Sequence, residues 1–236
     1  MADTPVMSLP LLAPAQAQKH VTVNEALSRI DGLAQLCLVS STLTTPPLAA
    51  PDGDVYAVPP GGTNAWSGED GKVAISVNGG WVFVAPKRGW RAMVMDQGLP
   101  AIWDGSAWRL GAQTLTPGGG SMVIKSAEID VTLTAGSSVT TPVVFPSRSI
   151  VYGVTGRVIT EVTGTVTTWD LGVSGDTQRF GNGLGLVVNT TVNGPAAPIV
   201  YWTPTPLEIT AVGGDFASGT VRLVAHYAEL VLPDAV

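Results

Sequence analysis

Apolar and polar positions alternate in short runs along most of this chain, and one segment follows a helical spacing instead. Val23, Ala26, Leu27, Ile30, Leu33, Ala34 and Cys37 fall at i, i+3, i+4, i+7, i+10, i+11 and i+14. That spacing draws one apolar stripe and predicts an amphipathic helix over residues 22–37. Thr22 followed by Glu25 reads as a capping box, the hydroxyl accepting from first-turn amides and the carboxylate reaching back to the cap amide. Asn24, Ser28, Arg29, Asp31 and Gln35 make the polar face, and Cys37 reads as a small core residue.

The remaining pattern is β. Extended runs at 38–44 and 54–58 flank a Pro-rich turn. Strands at 72–77 and 81–85 surround Asn78-Gly79, and strands at 101–103 and 107–110 surround Asp104-Gly105. These dipeptides favour positive φ and are strong hairpin signals. Both units run apolar strand, Asn/Asp-Gly, small residue, Trp, like a degenerate repeat in a β-meander. A loop-forming stretch at 116–122 then separates a first domain, 1–115, from a second, 123–236. In the second, strands are predicted at 123–134, 139–145, 149–163, 166–173, 184–189, 198–202, 207–212 and 220–232. The fold class is therefore mainly β: a helix with a small β-meander domain, then an antiparallel β-sandwich of jelly-roll type. Tyr152, Val154, Val158 and Val162 share the core face of the third strand; Gly153, Thr155, Arg157 and Glu161 share the other. The last strand, apolar on both faces apart from Arg222, His226 and Glu229, is either central in the sandwich or buried between subunits.

Charge narrows the function classes. Charged residues make up 13% of the chain, about half the usual share, so Thr, Ser, Gly, Asn and Ala dominate the surface. Such a surface suits a protein that hides much of itself in an assembly. A net charge of −6 gives no basic footprint for nucleic acid. No run reaches the ~18 apolar residues of a membrane helix. Cys37 is the only cysteine, and His20 and His226 are the only histidines, so no disulfide within the chain, zinc centre or other metal site is implied. No cofactor is implied either.

Residues 9–17 imitate a secretory signal, but Asp3 is the only charged side chain before them, and Pro10 and Pro14 interrupt the run. The segment reads instead as an apolar arm. Its Leu9, Leu11 and Leu12 are assembly candidates, packing either on their own domain or on a neighbouring subunit or capsid protein. Trp90, beside Lys87-Arg88 and Arg91, is another.

Catalytic patterns are weak. Asp170, Asp176 and Asp215 are the carboxylates a glycosidase reading would use, yet all lie near predicted turns or strand ends, where Asp is common. Neither His20 nor His226 follows a nucleophile elbow. The Gly-rich run at 180–185 lacks the Lys-Ser/Thr of a phosphate loop and reads as a tight crossing between strands. No enzyme is expected. For sugar binding the residue types are better: Trp169, Asp170, Asp176, Arg179, Tyr201 and Trp202 offer aromatic faces beside polar groups. Trp66, Trp81, Trp90, Trp103 and Trp108 offer more in the first domain, with core packing as the competing reading.

LPLLAPAQAQKHVTVNEAL at 9–27, the PP turn after it, GGWVFVAPKRGWRA at 79–92 and IWDGSAW at 102–108 resemble a family encoded in alphaproteobacterial phages and gene transfer agents. Residues 171–211 and the VRLVAHYAELVLP ending are similar to the carboxyl part of the same proteins. In gene transfer agents such members look like head spikes, which sit on capsid vertices and contribute to adhesion to the host capsule. The resemblance implies a virion structural protein on the head of a phage-like particle, made in the cytoplasm without a signal peptide. It implies the base of the spike, a homo-oligomeric ring that is a pentamer on a fivefold vertex. The partners implied are the capsid vertex protein, a spike fibre protein and host capsule polysaccharide. A free-standing capsule-binding lectin and a capsule-degrading glycosidase are the alternatives.

Overall fold

A computed structural model of the chain describes residues 3–12 and 19–235, the side chains of Lys19 and His20 excepted. Its contacts form two compact units, Met1–Gly119 and Gly120–Val236.

The first unit contains α1 (Lys19–Ala34) and strands β1 (Cys37–Leu38), β2 (Val55–Ala57), β3 (Val73–Val77), β4 (Gly80–Val84), β5 (Arg91–Val94), β6 (Leu99–Trp103) and β7 (Trp108–Leu110). They make one sheet of order β2-β3-β4 and another of order β1-β5-β6-β7. Both expected hairpins form. Asn78 and Gly79 take φ of 51° and 72°, the left-handed pair that a two-residue turn of this hand requires. Around Asp104-Gly105 the loop is longer: Trp103 pairs with Trp108, and the Asp104 amide donates to the Ala107 carbonyl at 3.0 Å.

Two features of this unit were not legible. The predicted strand 38–44 shrinks to β1, and β1 pairs parallel to β5, which the apolar pattern did not reveal. A two-residue strand has no alternation to detect, and its partner lies far along the chain. β2 and β3 bury both faces. Leu36, Leu38, Val55, Ala57, Val73, Ile75 and Val94 pack on one side; Tyr56, Val58, Trp66 and Ala74 pack on the other. Trp66 lies 5.6 Å from Tyr56 and 5.3 Å from Trp81 by ring centroids, filling this second core with aromatic volume.

The helix departs most from expectation. It begins at Lys19 and ends at Ala34, so Thr22 is already helical and the Thr22/Glu25 capping box does not form. Glu25 pairs forward with Arg29 at 2.8 Å instead. Cys37 is exposed rather than buried in the core, because it opens β1 on the outward side while Leu38 takes the inward one. Most of the stripe faces outward: Ile30 is 52% exposed and Val23 39%, with Ala26 and Ala34 exposed beside them, while Leu27 is half-buried and Leu33 packs against the core. Inward lie Asp31, 2% exposed, and Gly32, whose Cβ would sit 3.0 Å from the Ile75 side chain. Asp31 holds the arm: Oδ1 accepts from Thr4 Oγ1 (2.7 Å) and the Met7 amide (2.6 Å), and Oδ2 accepts from the Val6 amide (2.9 Å). Asn24 grips the Leu12 amide and carbonyl at 2.9 and 3.1 Å. A carboxylate meeting three donors outcompetes apolar burial for this face of the helix.

The second unit is a sandwich of β8 (Ser121–Leu133), β9 (Ser138–Phe145), β10 (Ser149–Gly164), β11 (Thr168–Val173), β12 (Asp176–Leu184), β13 (Thr191–Tyr201), β14 (Thr205–Val212) and β15 (Phe216–Val231). Its sheets have orders β13-β10-β15-β8 and β12-β11-β14-β9. All pairings are antiparallel, and only β11 and β12 follow each other within one sheet, which is the jelly-roll path. Phe145 sits in the middle of the core, stacked on Tyr201 at 5.4 Å and edge-on to Tyr227 at 6.2 Å.

Six of the eight expected strands match closely. The expected strand 184–189 is a loop, and its place is taken by β12; the expected strand 198–202 is only the end of β13. Both real strands are sheet edges, with little apolar surface to advertise them. The last strand, β15, is central, between β10 and β8, which resolves its two readings. On β10, Val154, Val158 and Val162 are buried as expected, but Tyr152 points outward and Val151 inward. A bulge between Val151 and Gly153 moves the register by one residue and so exchanges the faces.

Candidate functional site

The sugar-binding candidates of the second unit divide into two groups. Trp169 is fully buried, its Nε1 donating to the Gly185 carbonyl at 2.8 Å. Asp170 is buried too, accepting from Gln178 Nε2 at 2.9 Å and the Gly183 amide at 2.8 Å. These two residues hold the irregular end of β12 and present no face to a ligand, which corrects their assignment. The Gly-rich run there serves that irregularity, with Gly183 at φ 63°. The close strand crossing is made at the start of this run, where Gly194 of the facing strand meets the Phe180 carbonyl.

Asp176, Arg179 and Tyr201 do come together. Asp176 Oδ2 lies 3.4 Å from Arg179 Nη1, and Arg179 Nη2 reaches the Ala197 carbonyl at 3.4 Å. Burial raises the Tyr201 phenol above its ordinary pKa; Arg179 pulls it down and Asp176 pushes it up. The Tyr201 ring is already engaged by Phe145, so the open aromatic surface beside this cluster is Trp202, 74% exposed. The cluster supplies polar groups and one indole.

The Asp215 carbonyl accepts from the Thr165 and Val166 amides in a turn. His226 contacts Ser126 Oγ through Nδ1 at 3.0 Å and Thr155 Oγ1 through Nε2 at 2.9 Å, so hydroxyls occupy both nitrogens. The His20 side chain lies outside the described residues. Among the described residues no group of three or more His, Cys, Asp or Glu side chains is placed to hold a metal, and no helix is long and apolar enough to cross a membrane.

A better-formed cleft lies in the first unit, with a volume of about 340 Å³ and a lining that includes Pro59, Pro60, Asp70, Trp103, Ser106 and Trp108. Two fixed turns build it. In one, the Asp104 carboxylate accepts from the Ser106 and Ala107 amides (2.7 Å each), the Ser106 hydroxyl (2.9 Å) and Arg109 Nε. Burial alone would raise the Asp104 pKa, but these hydrogen bonds outweigh it and bring the group down to about 2. Arg88 braces the same turn from outside, donating to the carbonyls of Asp104 and Thr116. In the other turn, Asp70 accepts from the Gly61 and Gly62 amides at 3.0 and 2.9 Å, which lowers its pKa while leaving it exposed. Trp103 and Trp108 stand 5.4 Å apart at 57°. Trp108 Nε1 has no hydrogen-bond partner among the described residues. Sequence reasoning named both tryptophans but missed Pro59, Pro60, Asp70 and Ser106. The available signal was the Pro-Pro-Gly-Gly turn with an aspartate eight residues beyond its last glycine.

The assembly candidates are placed less uniformly than expected. Leu9 and Leu11 are half-buried and Leu12 is exposed. Trp90 packs half-buried against the core of its own unit, and Arg88 is engaged with backbone carbonyls. Residues 13–18 of the arm lie outside the described residues. Among the described residues nothing covers the outward part of the α1 stripe, Val23, Ala26, Ile30 and Ala34.

Residues 23–109 match the family described as "Protein of unknown function (DUF2793)". No curated protein matches the chain. Among solved structures, a chain of the "Cyanophage Pam1 capsid asymmetric unit" is 22% identical, with 51% of this chain and 92% of that chain covered and a TM-score of 0.33.

Proposed function

We propose that this chain is a structural component of a gene transfer agent or phage particle, the base of a head spike that forms a ring at the capsid vertex and supports adhesion to host capsule polysaccharide. The observation that carries the reading is the outward apolar stripe of α1. Val23, Ala26, Ile30 and Ala34 lie in water although the same helix buries a carboxylate. Contiguous apolar surface of this kind marks a contact that an assembly covers, and a second copy in a cyclic ring is the occupant a head vertex calls for. The motif at residues 9–27, which carries the family resemblance, runs through this helix. The reading assigns the chain no catalysis.

The test is the double substitution Val23→Lys, Ile30→Lys. Because both side chains are exposed, subunit stability is expected to change by no more than ~0.5 kcal/mol per site. Oligomeric mass by light scattering is expected to fall to that of the monomer, and the protein to disappear from purified particles. Unchanged mass and unchanged particle content would refute the reading.

The cleft beside Trp108 favours one alternative, a free-standing capsule-binding lectin. A monomer that binds polysaccharide tightly would decide for that alternative over the ring. Release of reducing ends from purified capsule would decide for a glycosidase.

A further inference from the structure

The cleft of the first unit has chemistry that selects its ligand. Its flat apolar surfaces are the half-buried Trp108 indole, the small exposed part of the buried Trp103 indole and two proline rings, and its one charged side chain is the Asp70 carboxylate. No basic side chain lines it. Each Asp70 oxygen accepts one backbone amide, which fixes the carboxylate in place and leaves lone pairs free for further donors. A ligand therefore has to offer hydrogen-bond donors to an anion and flat C–H faces to rings, and it must not carry negative charge.

A pyranose meets all three demands, since its axial C–H bonds form an apolar face and its rim is hydroxyl. A cationic amine meets the charge demand, but it gains from aromatic faces and gains little from proline. Half of the flat lining is proline, so the sugar fits better. An acidic sugar would set its carboxylate against Asp70, and juxtaposed like charges oppose binding. Ser106 adds a hydroxyl on the same rim. The volume of about 340 Å³ falls at the small end of ligand sites, which suits one or two sugar rings of a longer polymer.

We infer that the cleft between the Pro59-Pro60 turn and the Trp103/Trp108 hairpin binds neutral sugar residues of a polysaccharide and discriminates against uronates. This deepens the adhesion part of the function proposed above and rests on it for the biological source of the sugar. It assigns recognition to the first unit rather than to the Asp176/Arg179/Trp202 cluster of the second.

Isothermal titration of the full chain with short glucan, mannan and galactan oligosaccharides, and with oligogalacturonate as the acidic counterpart, tests the inference. At least one neutral oligosaccharide is expected to bind, with oligogalacturonate weaker by about tenfold or more. Ala107 is exposed at the cleft with its side chain outside both cores, so Ala107→Tyr fills the site without disturbing the fold. That variant is expected to weaken neutral-sugar binding by about tenfold or more. Trp108→Ala, with near-ultraviolet circular dichroism to verify folding, is expected to do the same, while Trp202→Ala leaves affinity unchanged. The inference is overturned if no neutral oligosaccharide binds, if oligogalacturonate binds as well, or if Ala107→Tyr retains full affinity. Loss of binding through Trp202→Ala alone would also overturn it, yet would leave adhesion standing at the other cluster. Particle content of the chain reads the structural role separately, so failure of the cleft and failure of the spike reading are distinguishable.

Discussion

Asp104 shows how one side chain sets the geometry of a whole turn. Its two oxygens gather three donors from the following residues and one from Arg109, and its pKa drops from 3.8 to about 2. A carboxyl whose folded-state value is depressed contributes stability that is fully present above its ordinary value and disappears as pH falls through the folded one. The first unit is therefore expected to lose stability between pH 4 and pH 2, more steeply in the wild type than in Asp104→Asn. Urea unfolding at a series of pH values measures this, and parallel slopes for the two proteins would refute it. Gly194 is a second such residue, through what it lacks. A Cβ there would lie 1.9 Å from the Phe180 carbonyl oxygen, whereas one at Gly175 would meet nothing within 4 Å. Gly194→Ala is expected to cost about 3 kcal/mol or more, since backbone must move. Gly175→Ala is expected to cost about 1–2 kcal/mol, from its φ of 84° alone. Denaturant midpoints that rank the two alike would contradict this account. The sequence marks the 180–185 run, whose Phe180 is one side of this crossing, but not Gly194, because a close approach between edge strands leaves no local pattern.

The elements divide by how far each depends on its own residues. Hairpin β3–β4 was legible because Asn78-Gly79 carries its turn conformation in the backbone preferences of two residues. Strands β8 and β14 are legible because they bury one face and alternate. Edge strands β12 and β13 were misplaced, since they bury little, and Tyr152 was put on the wrong face because a bulge leaves no signature in side-chain alternation. The helix is legible, but most of its stripe faces outward and Leu33 is the part of it that packs against the core. Periodicity shows that a stripe exists; it does not say whether the subunit or a partner covers it. Asp31 settles that, through donors that arrive from Thr4, Val6 and Met7 far back in the chain. Asp31→Ala is expected to cost about 1–3 kcal/mol through three donors left without their acceptor, and to speed amide exchange at Val6 and Met7. Unchanged exchange at those two amides would show that the arm is held by other means.

Across the molecule, each unit closes its own core. The jelly roll surrounds Phe145, and the meander is double-cored around Ile75 and Trp66. Deleting residues 1–20 removes the arm, which Asp31 and Asn24 bind within the first unit, and shortens α1. The second unit is expected to keep its cooperative unfolding after this deletion, while self-association is abolished. Calorimetry and light scattering on the truncated protein check both halves, and an unchanged oligomeric mass would refute the role of the arm.

The predominance of β-structure, the two Asx-Gly hairpins and a helix near the start all follow from residues adjacent in the chain, because alternation and turn preference act over a few positions. The jelly-roll order was anticipated from strand number and spacing, yet its edges emerged only with the pairing. The binding candidates show the same division. An isolated Trp-Asp pair at 169–170 looked like a sugar site and is core, whereas Trp103, Trp108 and Asp70 became a cleft only when two turns met. Residue type supplies the chemistry a site can use; which residues face one another, and which face water, depends on contacts between distant segments that no local pattern encodes.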